Sequence, residues 1–228
     1  MKLDGTTAVV TGASRGIGRA IAKRLADAGA AVALWSRDRA ALDAFAAELG
    51  RGARAYTVDV TNSAAIARAA DDVRATMPPV HTVVNNAGAV LRSATVAIPD
   101  AAWAHVMAVN ATGTFYVTRT WVPDLLRVEG RVINIASRAG REGTPYLAAY
   151  CAAKHAVVGF TRALAVELRA GKVSVNAVCP GSVDTEMLRV GIPDAVPDMT
   201  PDDIARTVEF LATSAPPALT GACIDVFG

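Results

Sequence analysis

Nowhere in these 228 residues does an apolar run approach the roughly eighteen that a membrane span requires, and the start, M-K-L-D-G-T-T, has no apolar leader. A membrane is therefore not an expected partner, and the chain reads as cytoplasmic. A charge excess is also missing. The net is +2 with both signs scattered and no basic block, which leaves nothing to grip a phosphate backbone, so nucleic acid is not expected either. Cysteine and histidine are scarce. Cys151, Cys179 and Cys223 are odd in number and far apart, which suits reduced thiols rather than a disulfide framework. Cys151 adjoins Tyr150, yet no histidine is placed beside it by motif, so it reads as packing. His81, His105 and His155 form no ligand pattern, and no metal site is expected.

What the chain does have is apolar content, 52% of its residues, enough for one large core over residues 1–228 without a second domain. Short β-branched runs alternate with helical periodicity. T-A-V-V-T at 7–11 feeds G-A-S-R-G-I-G, and Ile17, Ile21, Leu25 and Ala28 then recur at helical spacing until Gly29. Strand, glycine turn and helix follow in order. Gly12, Gly16 and Gly18 let the backbone turn tightly and approach a diphosphate, which the helix amino terminus would attract through its unpaired N–H groups. The G-x-x-x-G-x-G spacing differs from G-x-G-x-x-G, but the strand at 31–35 completes a βαβ unit.

The residue after that second strand selects the cofactor, because an acid there would bind a ribose 2′-hydroxyl and repel a 2′-phosphate. Here it is Ser36-Arg37. Arg37, with Arg15 of the glycine turn, offers guanidinium groups suited to phosphate, so NADP(H) is preferred over NAD(H). Asp38 is expected to cap a helix over 39–49. Strands follow at 54–58, 80–84, 131–136, 173–178 and 222–226, with helices over 64–76, from 150 and over 204–213. Between 99 and 125 a long helical pattern is interrupted by Gly113 and Pro123. The fold class is α/β: a single-domain, Rossmann-type, doubly wound seven-stranded parallel sheet with helices on both faces. Residues 186–199, with Gly191, Pro193 and Pro197, have little periodicity and read as a loop that forms a short substrate lid.

The chemistry gathers between Ser137 and Lys154. Tyr150 and Lys154 are four apart, so on a helix they share one face, and a fixed ammonium beside a phenol would favour phenolate. Ser137 follows an apolar run and would face the crevice at the strand's carboxyl end. Three polar positions stay open on these grounds. Asp59 suits an adenine contact or a turn equally, Asn85-Asn86-Ala87-Gly88 a cofactor ribose passage or an ordinary polar turn, and Asn110 a structural tether or a water path.

Thr11-Gly12-x-x-x-Gly16-x-Gly18, Asn85-Asn86-Ala87-Gly88, Asn110, Ser137, Tyr150-x-x-x-Lys154 and Pro180-Gly181, taken in order, resemble the short-chain dehydrogenase/reductase family over essentially the whole chain. T-G-A-S-R-G-I-G is similar to the 3-oxoacyl-carrier-protein reductase type. The resemblance implies that Tyr150 gives or takes the proton and Ser137 holds the substrate oxygen. It implies that Lys154 tunes Tyr150 and binds the nicotinamide ribose, and that Asn110 positions relay water. Thr185 would bind the carboxamide. Asp59 and Val60 would flank adenine, and Asn86, Ala87 and Gly88 would line the ribose. Ser14, Ile17, Ser36, Pro180, Gly181 and Val183 complete the implied cofactor contacts. The activity implied is reversible NADPH-dependent reduction of a ketone or aldehyde to an alcohol, by a homotetramer or homodimer. An NAD-linked alcohol dehydrogenase and a non-catalytic dinucleotide-binding module are the alternatives. One departure stands out: the segment after Thr185 is short for the family, which suggests a more open pocket.

Overall fold

The computed structural model describes residues 3–228. Seven strands, β1 (Thr7–Thr11), β2 (Ala31–Ser36), β3 (Arg54–Thr57), β4 (Val80–Asn85), β5 (Arg131–Ile135), β6 (Ser174–Pro180) and β7 (Cys223–Val226), pair in the order 3-2-1-4-5-6-7. All six pairings are parallel. A parallel neighbour can be reached only by a crossover, and helices supply these: α1 (Gly16–Asp27), α2 (Arg39–Leu49), α3 (Ser63–Thr76), α4 (Asp100–Met107), α5 (Gly113–Val128), α6 (Ala148–Glu167), α7 (Glu186–Gly191) and α8 (Pro201–Thr213). The sheet is therefore α/β and doubly wound.

Alternation along each strand sorts the core into two layers. Val10, Leu34, Val84 and Ile133 cluster with Ile21 and Leu25 of α1 and Ile204 and Val208 of α8. Their sequence neighbours Val9, Val83 and Val132 cluster instead with Ile66 of α3, Val117 and Trp121 of α5 and Leu164 of α6. With both faces covered, β1, β4 and β6 are buried at every position, and each aliphatic side chain so placed contributes about 1.5–3 kcal/mol. Arg24 clamps α1 to α8, its guanidinium donating to both oxygens of Asp202 at 2.6 and 2.7 Å and to Glu209 at 2.9 Å.

Side-chain caps account for half of the helix starts, those of α2, α3, α7 and α8. Asp38 accepts the Ala41 amide at 3.0 Å and caps α2 as expected, and Asp203 accepts from both the amide and hydroxyl of Thr200 ahead of α8. Several strand ends differ from the expectation by one or two residues, and α8 begins at Pro201 rather than at 204. The interruption near Gly113 is a π turn over Ala108–Thr112 that joins α4 to α5, and Pro123 lies within α5 without ending it. α6 begins at Ala148, two residues before Tyr150. Residues 186–191 of the expected loop form α7, because the Thr185 hydroxyl accepts the Leu188 amide at 3.3 Å and starts a helix too short to show periodicity. Among the described residues no helix is long and apolar enough to cross a membrane.

Candidate active site

Strand order reverses between β1 and β4, and an open parallel sheet forms a crevice at the carboxyl ends there. The glycine turn lies on one side. Gly12 and Gly16 have φ of +65° and +54°, values that side chains other than glycine rarely adopt. A β-carbon on Gly18 would lie 2.2 Å from the Gly12 carbonyl oxygen, so only glycine lets the helix approach its own turn. Asn86 fixes the other side. Its Nδ2 donates to the carbonyls of Thr11 at 2.9 Å and Gly12 at 3.2 Å, while the amides of Asn86 and Ala87 both donate to the Thr11 hydroxyl at 3.0 Å. Gly16 is left open, since a β-carbon there would meet only the methyl of Thr185 at an ordinary 3.5 Å, and the first turn of α1 stands beside it. A bare backbone cradle at a helix amino terminus is what a diphosphate needs, so these residues fit a dinucleotide.

The selectivity residues are split. The Arg37 guanidinium is exposed and makes no hydrogen bond or ion pair among the described residues, which leaves it available to a phosphate. Arg15 is engaged, paired with Glu186 of α7. The Ser36 hydroxyl accepts the Asp38 amide at 3.0 Å. Asp59 closes its own turn, accepting from the Thr61 amide at 2.9 Å and hydroxyl at 2.7 Å. That amide bond is the first cause holding its carboxyl below the usual range, and the charge of Arg37 is a lesser one. Val60 packs beneath Gly113 and Ile17 against the α1 core, while Ser14 stays half-buried in the turn. Across the crevice, the Gly181 amide donates to Val226, following Pro180 at the end of β6, and Val183 bridges to Met199.

At the bottom of the crevice Tyr150 and Lys154 are 9% and 4% exposed, and the ammonium nitrogen is 5.6 Å from the phenol ring centre. The expected lowering of the phenol does not occur. Burial pushes Tyr150 up to about 12, with the Ser137 hydroxyl opposing, and pushes Lys154 down to about 8. The reason is desolvation of both groups: the cation that would have favoured phenolate is itself disfavoured, and it donates at 2.7 Å to the Ile135 carbonyl. A neutral, protonated phenol is the form ready to donate a proton. Ser137 accepts the Ala139 amide at 3.1 Å, and the Tyr150 hydroxyl points at Met187 Sδ, 3.9 Å away.

Asn110 is 1% exposed in the π turn. Its Nδ2 donates to the carbonyls of Ala89 at 2.7 Å and Val106 at 2.8 Å, but its Oδ1 is buried without a partner. A β-carbon on Gly88 would come within 2.9 Å of that oxygen, so the glycine makes room for it. An orphaned buried carbonyl calls for a water or ligand donor.

Three neighbours of the site escaped the sequence reading. Met187 covers the phenol, Glu186 occupies Arg15, and Arg92 donates at 3.4 Å to the Gly191 carbonyl at the end of α7. The short segment after Thr185 thus places one side chain, Met187, against the phenol. Its ends are tied by Asp184 to Met199 at 2.9 Å, and α7 lies across the crevice. Adjacency to Thr185 was the only available signal for Glu186 and Met187; Arg92 had none.

Comparison with known proteins identifies the family and the fold. The family model described as short chain dehydrogenase matches residues 6–194. The 3-oxoacyl-(acyl-carrier-protein) reductase of Haemophilus influenzae is 33% identical over 237 residues, covering 99% of this chain and 98% of that protein. Among solved structures, the 3-ketoacyl-(acyl-carrier-protein) reductase of Brucella melitensis, complexed with NADH, superimposes with a TM-score of 0.94 at 31% identity, covering 99% and 98% of the two chains. A Beutenbergia cavernae protein described as an NAD(P)-dependent gluconate 5-dehydrogenase, with NADP bound, gives 0.89 at 36% identity, covering 98% and 96%.

Proposed function

The chain belongs to the short chain dehydrogenase family of oxidoreductases, and from that membership we propose that it interconverts a ketone or aldehyde with an alcohol, using NADP(H) in preference to NAD(H). The observation that carries the reading is Tyr150 and Lys154 buried together on one face of α6, beside Ser137 and the unpaired Asn110 oxygen. When bound, the nicotinamide supplies the hydride. The chain does the rest. Ser137 donates a hydrogen bond to the carbonyl oxygen, orienting it and stabilising charge as it develops there. Tyr150, kept protonated by burial, passes its proton to that oxygen.

Lys154 then stands beside the phenolate that remains, a desolvated cation now matched by an anion, which offsets the burial that kept the phenol neutral and disfavoured the ammonium beforehand. Asn110 Oδ1 would hold the water that returns the proton. In the reverse direction the same groups act as base. Arg37 supports the NADP(H) preference through its free guanidinium. The pairing of Arg15 with Glu186 favours the second reading, an NAD-linked alcohol dehydrogenase, because it leaves one guanidinium for the 2′-phosphate rather than two. The enzyme works in the cytoplasm as a homotetramer or homodimer, a reading supported by the exposed Phe115 of α5 and Val166 of α6.

The test is a titration of NADPH against NADH with wild type and Arg37→Ala, joined to turnover of a carbonyl panel with wild type and Tyr150→Phe. NADPH binds more tightly, Arg37→Ala loses about tenfold or more of that preference, and Tyr150→Phe retains cofactor while losing turnover. Tighter NADH binding sinks the cofactor assignment. Turnover that survives Tyr150→Phe removes Tyr150 as the acid.

A further inference from the structure

The guanidinium groups around the crevice differ in how they are neutralised. Arg15 pairs with Glu186, Arg138 approaches Glu142 at 3.7 Å, Arg141 approaches Asp225 at 3.4 Å, and Arg189 binds Asp184 at 2.5 Å. Arg92 has no carboxylate partner among the described residues. It is held in place all the same. Its guanidinium carbon lies 4.9 Å above the centre of the Tyr146 ring, and its Nη1 reaches the last carbonyl of α7 at Gly191. The Ser93 amide donates to the Tyr146 carbonyl at 2.9 Å, and Tyr146 adopts φ of +65°, a left-handed conformation that is strained for an aromatic residue. A strained backbone presents a ring, and the ring presents a cation.

Between that cation and the phenol the surface is apolar. Val90, two residues before Arg92, packs against Gly191, and Val90, Leu91, Leu147 and Ile192 belong to the cluster that contains Tyr150. Gly191 follows Met187 by four residues, so the backbone carbonyl that holds the cation and the backbone that carries the thioether over the phenol are roughly 6 Å apart along the axis of α7. The geometry points to a substrate with two ends: we infer that the carbonyl compound carries an oxyanion, most simply a carboxylate, joined to its carbonyl by a short apolar chain and received by Arg92. A guanidinium fork matches such a group, and no protein carboxylate competes for it. Arg92 is on this account a specificity residue of the reductase proposed above, and the inference rests on that proposal.

The experiment compares NADPH-dependent reduction of acetoacetate, levulinate and 5-oxohexanoate with that of their methyl esters, for wild type, Arg92→Gln and Arg92→Lys. At least one acid is expected to exceed its ester about tenfold in kcat/KM. Arg92→Gln is expected to erase that ratio through the KM of the acid, and Arg92→Lys to restore part of it. Equal use of every acid and ester by wild type overturns the inference, as does an Arg92→Gln variant that loses acid and ester activity alike, which would assign Arg92 to holding α7. Saturation-transfer NMR of the same acids and esters, with NADP present, reads binding without turnover. If no carbonyl is reduced but an acid binds in an Arg92-dependent way, the reductase reading falls and the anion site stands. Reduction of neutral carbonyls with no acid preference in either readout leaves the reductase and removes the anion site. Absence of both signals removes both.

Discussion

Two sets of buried polar side chains hang from the same elements, about two helical turns apart. In the deeper set, Asn85 Nδ2 donates to Thr118 and Asn134 at 2.8 Å, Asn134 Nδ2 donates to Thr161 at 2.9 Å, and Thr161 donates to the Val157 carbonyl at 2.8 Å. Asn85 Oδ1 is the loose end of that ladder. In the shallower set, β5 leads on to Ser137, α6 supplies Tyr150 and Lys154, and the turn before α5 supplies Asn110. Here the phenol has a thioether and the Ser137 hydroxyl for company, the amine one carbonyl for three donors, and Asn110 Oδ1 nothing. Apart from the half-buried Ser137, both sets are buried; they differ in how far the hydrogen bonds close, the deeper set lacking a partner at Asn85 Oδ1 alone. A nearly closed set stabilises the fold, while an open one is held ready for atoms that arrive later.

The sharpest way to break that contrast is Lys154→Met. Turnover should fall about a hundredfold to ten-thousandfold, while the thermal midpoint stays level or rises, because a desolvated ammonium is removed. A lowered midpoint would put Lys154 with the ladder. Asn134→Ala should do the reverse. It strips the Asn85 amide of an acceptor and leaves Thr161 short of a donor, so stability should drop by about 3 kcal/mol in denaturant titration while activity per folded molecule is kept.

Much of this contrast was legible in the sequence, though unevenly. Gly12, Gly16, Gly18, Asn86, Ser137, Tyr150 and Lys154 come to one crevice because strand, turn and helix order brings them there, and that order can be read from periodicity. The π turn, α7 and the neighbours Met187 and Arg92 were not legible. Each depends on contacts between segments far apart in sequence, such as Arg15 with Glu186 and Arg92 with Gly191, and a six-residue helix is too short to show a period. Nor could spacing reveal that burial would raise the Tyr150 phenol, since Tyr150 and Lys154 at helical spacing have opposite consequences in wet and dry surroundings.

A pH profile sharpens the comparison further. Lys154 is depressed from 10.5 to about 8, so as pH rises through about 8 the ammonium loses its proton, and kcat/KM for carbonyl reduction should fall up to about tenfold per unit. The sign for stability is opposite. Below about 8 the fold carries a disfavoured charge, and wild type should gain stability relative to Lys154→Met between about 8 and 10.5. A flat rate profile through pH 9 would detach Lys154 from the reaction. The smallest effect is expected at the clamp remote from both sets. Arg24→Ala should cost about 1 kcal/mol, given that Asp202 is half-exposed, and leave turnover unchanged.

The turn at Ala108–Thr112 gives the Asn110 position an unusual relation to chain length. A π turn carries one residue more than the α-helical ladder needs. Deleting a single residue there would let 100–128 run as one α-helix with its two flanks almost unrotated, because a five-residue π turn and a four-residue α turn sweep nearly the same angle, so the change is confined to the side chains of the turn itself. The fold has the helices to survive such a deletion, yet the orphaned oxygen would leave the crevice. For engineering, residues 108–112 are therefore a local length switch, in which a one-residue change, with no change of side-chain chemistry elsewhere at the site, would disconnect Asn110 from Tyr150 and Lys154 while leaving both flanking helices in register.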